Sequence, residues 1–447
     1  MSKHTLMALC SPEVILAQHL RTHLATFLAP LLERLSRRVD VRVVQTAGYV
    51  VEALVRLRQR SCALWLTEIG TLLLGAAHAP AGVKRVARLL ASPDWNAAEV
   101  EQWLLEQADQ VVEQEEDVAL VALDQSVLEK PESQTALGLC PVRSSKARRL
   151  ARPRPGFGAG PPRPPVTVPG LHWLAATVMG WSGPALLAVC RWWSPRPSSP
   201  SPERQRESEV HLLRDLVARW GRRVLFVWDR GFAGRPFLEV ALAEGARFVV
   251  RWPTRNYLCS PGGLPTNAWR LTAGKRAWGE ARLWDARRRC WLVVRFLAVP
   301  ARLPGSTTPL WLVVSRGRPG TEPWRLLTNE PVETAEQAWR IVHAYGRRWQ
   351  VECALRLGKS DWGMESCRQH YWERRAKLLA LASLALAFLV SLVATLPDLV
   401  TLVLRAGCHR TGRRARQGTC PLYRFHAALA WIWMTYLPAP LVRAPPL

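Results

Sequence analysis

The chain has 447 residues, more than one ordinary hydrophobic core accommodates, so two or three domains are expected. Lysine and arginine number 61 against 35 aspartate and glutamate residues, and the net charge of +26 indicates a polyanionic partner without deciding between nucleic acid, ribosome and membrane surface. The ten cysteines form no C-x-x-C pair and have no histidine at ligand spacing, so neither a zinc site nor a disulfide framework is indicated. No signal peptide is expected.

The first 115 residues predict a helical domain. Apolar residues recur with the period of an amphipathic helix in five segments, namely residues 12–35, 49–59, 64–74, 83–90 and 96–110. The fourth segment carries Lys84, Arg85 and Arg88, so this succession of short helices is equally compatible with a helix-turn-helix and with a plain helical bundle.

A buried strand is predicted next. The run DVALVALDQS, from residue 117, is almost continuously apolar up to Asp124, where we expect the strand to end. Two further apolar runs, residues 171–179 and 184–193, complete an antiparallel meander. Residues 143–165, between the first and second runs, are rich in proline, arginine and glycine. We expect a mobile, solvated loop there, with contact to a phosphate backbone as the alternative.

Helices and strands alternate after the meander. Their predicted order is helix 209–220, strand 223–228, helix 236–243 and strand 246–252. The first of these strands delivers Asp229 at its end. The order predicts a mixed α/β core over residues 116–252 and 328–400, with Asp124 and Asp229 at strand ends, where ligands gather.

Residues 253–327 predict a β-rich insertion domain, because short segments of alternating pattern are separated there by turn residues. Basic and indole side chains also alternate in a manner that suits a nucleic-acid strand, although packing within a sheet explains at least half of the tryptophans equally well. The candidates are Trp252, Arg255, Trp278, Arg282, Arg287, Arg288 and Trp291.

The second part of the core contains a long helix that Thr334 is expected to cap. One face of this helix carries Tyr345, Arg348, Glu352 and Lys359, at positions i, i+3, i+7 and i+14. A carboxylate there could anchor a metal ion while the cations meet phosphate oxygens. A salt-bridged surface helix is the alternative.

Two segments close the chain. Residues 378–396 are apolar over a length that could span a bilayer, but their alanine and serine content and their position directly after the Glu352 helix favour a buried helix. Residues 401–447 form a basic and tryptophan-rich C-terminal segment, with a basic linker over 405–416 and no predicted element beyond 421.

Three carboxylates from distant parts of the chain define the candidate metal site. Asp124, Asp229 and Glu352 are weak signals singly, because a strand-end aspartate usually caps a turn. Together they could hold two divalent ions about 4 Å apart, an arrangement that activates a water or a 3′-hydroxyl and stabilises the leaving oxygen of a phosphoryl transfer. Asp117 and Glu365 lie nearby in sequence, but neither has the strand-end position or the helical register of these three.

These residues resemble the DDE transposases of the IS4 group. The resemblance rests on Asp124 after an apolar strand, on WDRGFAGRPF around Asp229, and on the unbroken spacing Tyr345-x2-Arg348-x3-Glu352-x6-Lys359. It covers roughly residues 117–368, and the lead-in LLTNEPVETAEQAWRIVHAYGRRW is typical of the family. The proline- and arginine-rich tract and the chain beyond Pro397 depart from the family pattern.

The resemblance implies a ribonuclease-H-like core in which Asp124, Asp229 and Glu352 hold two Mg²⁺ or Mn²⁺ ions. Tyr345, Arg348 and Lys359 would grip phosphates at the transposon end. One of the tryptophans Trp252, Trp278, Trp284 and Trp291 would stack on a base flipped out of the duplex. The implied partners are double-stranded DNA, as terminal inverted repeats read by the N-terminal helices and as target, and further copies of the chain, at least a dimer on paired ends.

The expected function is therefore metal-dependent DNA cleavage at transposon ends and strand transfer into target DNA, in the cytoplasm on the nucleoid and without a membrane. One alternative is a DNA-binding relic that has kept the fold and lost catalysis. A second is a membrane protein built on residues 378–396.

Overall fold

The computed structural model describes residues 11–57, 62–133, 135–150, 165–196, 204–285, 290–317, 322–360, 362–407, 422–437 and 441. Its N-terminal helices are α1 (Pro12–Ser36), α2 (Val41–Arg56), α3 (Leu66–Leu74), α4 (Ala79–Ala91) and α5 (Ala97–Gln114). Ser11, Asp40 and Asn96 each accept a hydrogen bond from a backbone N–H in the first turn of α1, α2 and α5. The prediction began α2 too late, at residue 49, because it missed the Asp40 cap.

Helices α3 and α4 cross at close range because two glycines face each other. A Cβ built on Gly82 would lie 2.2 Å from the carbonyl oxygen of Gly70, so no larger residue fits at this crossing. Gly75, at φ +81°, makes the turn between the two helices, in a left-handed region that glycine adopts without strain. This contact makes the helix pair a tightly packed unit.

The exposed side of α4 is basic. Lys84 and Arg88 point to solvent, whereas Arg85 turns inward and donates to the Thr46 hydroxyl at 2.8 Å. The N-terminal helices also pack against α12 and α14, defined below, so they belong to a helical bundle. The α3–α4 pair within that bundle stays compatible with a helix-turn-helix.

The strands are β1 (Ala119–Glu129), β2 (Cys140–Arg143), β3 (Thr167–Met179), β4 (Leu186–Trp193), β5 (Val224–Trp228), β6 (Arg247–Arg251), β7 (Tyr257–Leu258), β8 (Thr266–Asn267), β9 (Gly279–Asp285), β10 (Cys290–Ala301), β11 (Leu310–Arg316) and β12 (Trp324–Thr328). One large sheet has the order β2-β3-β1-β5-β6-β12-β11-β10-β9, and β4 also pairs with β3. Neighbours β1, β5 and β6 are parallel, and the other pairs are antiparallel. The predicted meander is present as β1, β3 and β4.

The predicted insertion, residues 253–327, is rich in strands, and four of them extend the core sheet. Strand β12 pairs with β6, with Leu326 opposite Arg251, and β11, β10 and β9 follow in order. A separate two-stranded sheet, β7–β8, also lies within this part of the chain. The division of the chain into four parts stays a prediction, and a continuous sheet crosses the boundary proposed at residue 253.

Asp124 does not end its strand, which corrects the prediction. Strand β1 continues to Glu129, pairing with β3 along its whole length, but its parallel partner β5 ends at Trp228, opposite Leu123. The residues up to Leu123 are buried, and those from Asp124 to Val127 are partly exposed. The apolar run therefore ends where β1 loses one of its two neighbours.

The remaining helices are α6 (Ser145–Leu150), α7 (Gln205–Trp220), α8 (Arg235–Ala243), α9 (Ala268–Leu271), α10 (Ala335–Arg347), α11 (Trp349–Ser360), α12 (Trp372–Thr395), α13 (Pro397–Gly407) and α14 (Leu422–Tyr436). Thr334 caps α10 as predicted, accepting from the Gln337 N–H. Glu352, however, lies on α11 and not on α10. The backbone N–H of Arg348 donates to Tyr345 and that of Val351 to Arg348, and these tighter bonds interrupt the helix at Arg348.

Helix α12 is long and apolar enough to cross a membrane, by length and composition alone, yet most of it is buried inside the protein. The interpretation of residues 378–396 as a buried helix is therefore confirmed. Residues 151–164 of the proline- and arginine-rich tract and residues 408–416 of the basic linker lie outside the described residues. The unassigned end of the chain contains α14, which packs against α13 and α2.

Candidate active site

Asp124 and Asp229 lie side by side at one edge of the sheet. Strands β1 and β5 are parallel, with Leu123 opposite Trp228, so the residues that follow them come at the same level. Trp228 is buried and stacks on Phe248 at 5.4 Å between ring centroids, which fixes the end of β5. The sheet thereby brings together two aspartates that are far apart in sequence.

Arg348 joins Asp124 to Glu352. Its guanidinium lies 3.6 Å from the Asp124 carboxylate, between Nη1 and Oδ2, and its Nη2 donates to Glu352 Oε1. Only 9% of the Arg348 side chain is exposed, and Nη1 is buried without a hydrogen-bond partner. The break between α10 and α11 therefore places a buried cation among the carboxylates.

Tyr345 completes the cluster from the end of α10. Its hydroxyl donates to Asp229 Oδ1 at 3.3 Å, and its buried ring packs edge-on against Trp324 at 5.0 Å. The Arg348 guanidinium lies over the same ring at 5.7 Å. Although the helix is interrupted, Tyr345, Arg348 and Glu352 still face one site, because Arg348 keeps helical backbone angles.

The electrostatics of the cluster show that the three acids share one environment. Burial raises the pKa of Asp124 to about 6, and the charges of Glu352 and Asp229 act in the same direction, against Arg348 and the Gln125 N–H. Burial acts to lower the pKa of Arg348. The surrounding Tyr345, Asp229, Glu352 and Asp124 outweigh it and raise that pKa. The guanidinium is thus firmly charged and serves as the counter-ion of the acids.

Lys359 lies at the margin of the cluster. Its pKa is lowered, chiefly by burial, although Glu365, Glu129 and Asp124 act in the opposite direction. Glu365 accepts from Lys146 at 2.7 Å and is held there as an ion-pair partner. Asp117 forms an ion pair with Arg340. Both of these acids, which the sequence argument set aside, are thus paired with other cations.

Carboxylate oxygens are the ligands that Mg²⁺ prefers, so the chemistry of Asp124, Asp229 and Glu352 fits a divalent cation. Among the described residues, however, no three His, Cys, Asp or Glu side chains form a ready-made metal cage. Arg348 now offsets part of the negative charge of the carboxylates, and a metal ion that bound them would take over this role. The donor set fits a metal, provided that the guanidinium moves aside.

The residues predicted to contact DNA from the insertion differ in exposure. Trp252 is only 4% exposed, so its ring has no open face for a base, and its selection is corrected. Its backbone N–H donates to Arg325, which ties it into the sheet. Trp278, Trp284 and Trp291 are exposed, as are Arg255 and Arg282. Arg287 and Arg288 lie outside the described residues.

Sequence reasoning missed a group of arginines beside the site. Arg230 follows Asp229 directly, Arg251 is the last residue of β6, and Arg325 lies at the start of β12. Their positions in the sequence could have revealed these arginines, because all three lie next to strand ends at the edge of the sheet that carries Asp229. Arg230 and Arg251 both form ion pairs with Glu322.

Three carboxylates at the carboxyl edge of parallel strands, with basic side chains around them, define a candidate metal-dependent phosphoryl-transfer site. Residues 203–388 match the family described as the transposase DDE domain. The matched segment includes Asp229, Tyr345, Arg348, Glu352 and Lys359, and Asp124 precedes it. The match implies a transposition function with DNA as partner. Members of the family are typically phosphoryl-transfer enzymes, and the family implies divalent metals.

Proposed function

We propose that the protein is a DDE transposase of the IS4 group, which cleaves DNA at transposon ends and transfers the freed strands into target DNA. The observation that carries the proposal is the meeting of Asp124, Asp229 and Glu352 around Arg348. The unbroken Tyr345-x2-Arg348-x3-Glu352-x6-Lys359 spacing supports the assignment to that group.

A ribonuclease-H-like core is part of the proposal. Strands β4, β3 and β1 form an antiparallel meander, and β5 and β6 follow parallel to β1. Helices α7 and α8 connect the later strands, and α11 packs against β1 and β3 with Glu352 near its start. This order supports such a core, because it places acids from β1, β5 and a later helix at one edge.

The residues have separate tasks in the proposed reaction. Two Mg²⁺ or Mn²⁺ ions held by Asp124, Asp229 and Glu352 would activate the attacking oxygen and stabilise the leaving oxygen. Tyr345 orients the Asp229 carboxylate through its hydroxyl. Arg348, once released from the acids, is placed to bind a phosphate oxygen, as a guanidinium does with good geometry. Lys359 provides a second cation at the margin.

The partners and location are proposed with the function. The DNA would be the terminal inverted repeats and a target duplex, contacted by the exposed side of α4 and by exposed Trp278, Trp291 and Arg255. Assembly on paired ends would require at least two copies of the chain. The site of action would be the nucleoid in the cytoplasm.

The test uses purified protein, Mg²⁺ and a DNA fragment that contains the sequences flanking the gene. Wild type should cleave at the element ends, whereas Asp124→Asn, Asp229→Asn and Glu352→Gln should lose cleavage and still bind the fragment. Glu365→Gln and Asp117→Asn serve as matched acid controls and should still cleave. Wild-type cleavage in any triad variant would refute the site. Binding without cleavage by the wild type would favour the inactive relic.

A further inference from the structure

A second cluster of charge lies at the same edge of the sheet as the carboxylates. Arg230 comes directly after Asp229, and Arg251 ends β6, which is parallel to β5. Strand β12 is antiparallel to β6, with Leu326 opposite Arg251, so Arg325 at its start also lies at this edge. The catalytic proposal assigns no role to these three arginines.

One carboxylate, that of Glu322, holds the cluster together. Its Oε2 accepts from Arg230 at 2.8 Å and lies 3.3 Å from a guanidinium nitrogen of Arg251. Its Oε1 accepts from the Thr254 hydroxyl at 3.1 Å, and that hydroxyl accepts from Arg325 at 3.0 Å. Three guanidinium groups are thus arranged around a single acidic side chain.

The charges in this cluster do not balance. Burial lowers the pKa of Arg325, and Arg316, Arg251 and Arg230 act in the same direction, with Glu322 alone opposing them. Arg325 Nε is also buried without a hydrogen-bond partner. Glu322 is 46% exposed and Arg230 is 43% exposed, so the cluster is open to a ligand from solvent. A second anion would reduce the repulsion among the arginines.

We propose that Arg230, Arg251 and Arg325 form a binding site for a backbone phosphate of DNA, and that Glu322 is a built-in counter-ion which the phosphate displaces. This inference rests on the proposed function, because it takes DNA as the substrate. A phosphate offers more acceptor oxygens than the Glu322 carboxylate, and guanidinium groups bind it with matched geometry. Glu322 meanwhile limits the repulsion among the arginines in the free protein.

The position of Tyr345 connects this site to the carboxylates. Tyr345 donates to Asp229, and the charge of Arg251 also acts on its hydroxyl. Trp324, the neighbour of Arg325, packs against the Tyr345 ring. A DNA strand held by the arginine cluster would therefore run past Tyr345 toward Asp229, with its neighbouring phosphates along the sheet edge.

The test measures DNA binding without cleavage. Wild type and variants are titrated with a fluorescent duplex of arbitrary sequence in excess EDTA, over a range of salt concentrations, because phosphate contacts are independent of sequence. Arg230→Gln and Arg251→Gln should each bind more weakly and reduce the slope of log K against log salt, by at most about 0.9, the value for one phosphate contact. Glu322→Gln should bind several-fold more tightly than wild type.

Arg214 and Glu244 provide the matched controls. They form an exposed ion pair at 2.8 Å, and Glu244 precedes β6, so the pair lies at the opposite edge of the sheet. Arg214→Gln and Glu244→Gln change the net charge by the same amounts and should leave affinity and salt slope close to wild type. A melting curve for each variant checks folding, and Arg230→Gln remains informative because that side chain is half exposed.

Two results would overturn the inference. A wild-type salt slope in both arginine variants would show that no phosphate binds the cluster. Weaker binding by Glu322→Gln would show that the carboxylate organises the surface and is not displaced. Both results are independent of the catalytic proposal, because the assay contains no metal and the triad variants are measured separately for cleavage.

Discussion

Asp124→Asn should stabilise the metal-free protein at neutral pH. The folded protein holds the Asp124 carboxyl at a pKa of about 6, above the ordinary 3.8, mainly because the group is buried. A raised carboxyl pKa means that the folded state binds the proton more tightly than the unfolded state. The wild type therefore loses stability as pH rises from 3.8 through 6. Asparagine carries no charge and avoids this loss.

The magnitude follows from the two pKa values. At pH 8 the ionised carboxylate costs the wild type up to about 3 kcal/mol, and at pH 5 about 1.5 kcal/mol, since each pKa unit corresponds to 1.36 kcal/mol. Arg348 is already included in this balance as an opposing charge. The stabilisation by Asp124→Asn should thus be largest above pH 6 and should shrink toward pH 4.

Urea unfolding followed by tryptophan fluorescence, in EDTA at pH 5 and pH 8, measures this difference. Asp117→Asn is the matched control, because Asp117 precedes the same strand but forms an exposed ion pair with Arg340, and it should change stability by less than about 1 kcal/mol. Saturating Mg²⁺ should narrow the gap by stabilising the wild type alone. If Asp124→Asn were less stable than wild type at pH 8, the ion pair with Arg348 would outweigh burial, and the reasoning would fail.

Two further predictions concern packing and exposure. Gly82→Ala should destabilise the N-terminal helices by at least about 2 kcal/mol, because the added Cβ would collide with Gly70. Gly48→Ala on α2, where the added Cβ would lie 3.3 Å from the nearest atom, is the control and should be close to neutral. Thermal unfolding compares the two variants, and equal melting temperatures would contradict the close crossing of α3 and α4. The Trp291 side chain is 63% exposed, so Trp291→Ala should leave stability unchanged and weaken DNA binding by about 1 kcal/mol. Trp252 is buried, so Trp252→Ala should lower the free energy of unfolding by about 3 kcal/mol. A loss of stability in Trp291→Ala would contradict the assignment of Trp291 as an exposed DNA contact.

The strands around Asp229 could be predicted because local pattern and tertiary environment agree. Val224–Trp228 is apolar and buried in full, and the turn at Gly231 begins directly after Asp229. The same reasoning was wrong for the end of β1. An apolar run indicates which residues are buried and does not indicate where the strand ends. Strand β1 continues beyond its buried part because β3, its antiparallel partner, is longer than β5. The length of a neighbouring strand is not encoded in the strand itself.

The residues of the candidate site could be predicted from the sequence, but their arrangement in space could not. Helical spacing placed Tyr345, Arg348 and Glu352 on one side, and they do face one site. Spacing could not show that the helix is interrupted at Arg348, or that this arginine enters the space between the carboxylates. The alternation of basic and indole residues favoured Trp252 as a DNA contact, but only tertiary packing shows that it is buried.

The two charge clusters at this edge of the sheet have net charges of opposite sign. Asp124, Asp229 and Glu352 outnumber Arg348, which leaves an excess of negative charge, and the arginines around Glu322 leave an excess of positive charge. Free of metal, the edge attracts phosphate to the arginine side and repels it from the carboxylates. Cations bound to the carboxylates would remove that repulsion and release Arg348 for the same strand. In the proposed mechanism, the arginine cluster would therefore hold DNA without metal, whereas the carboxylates would admit a phosphate only where their charge is offset.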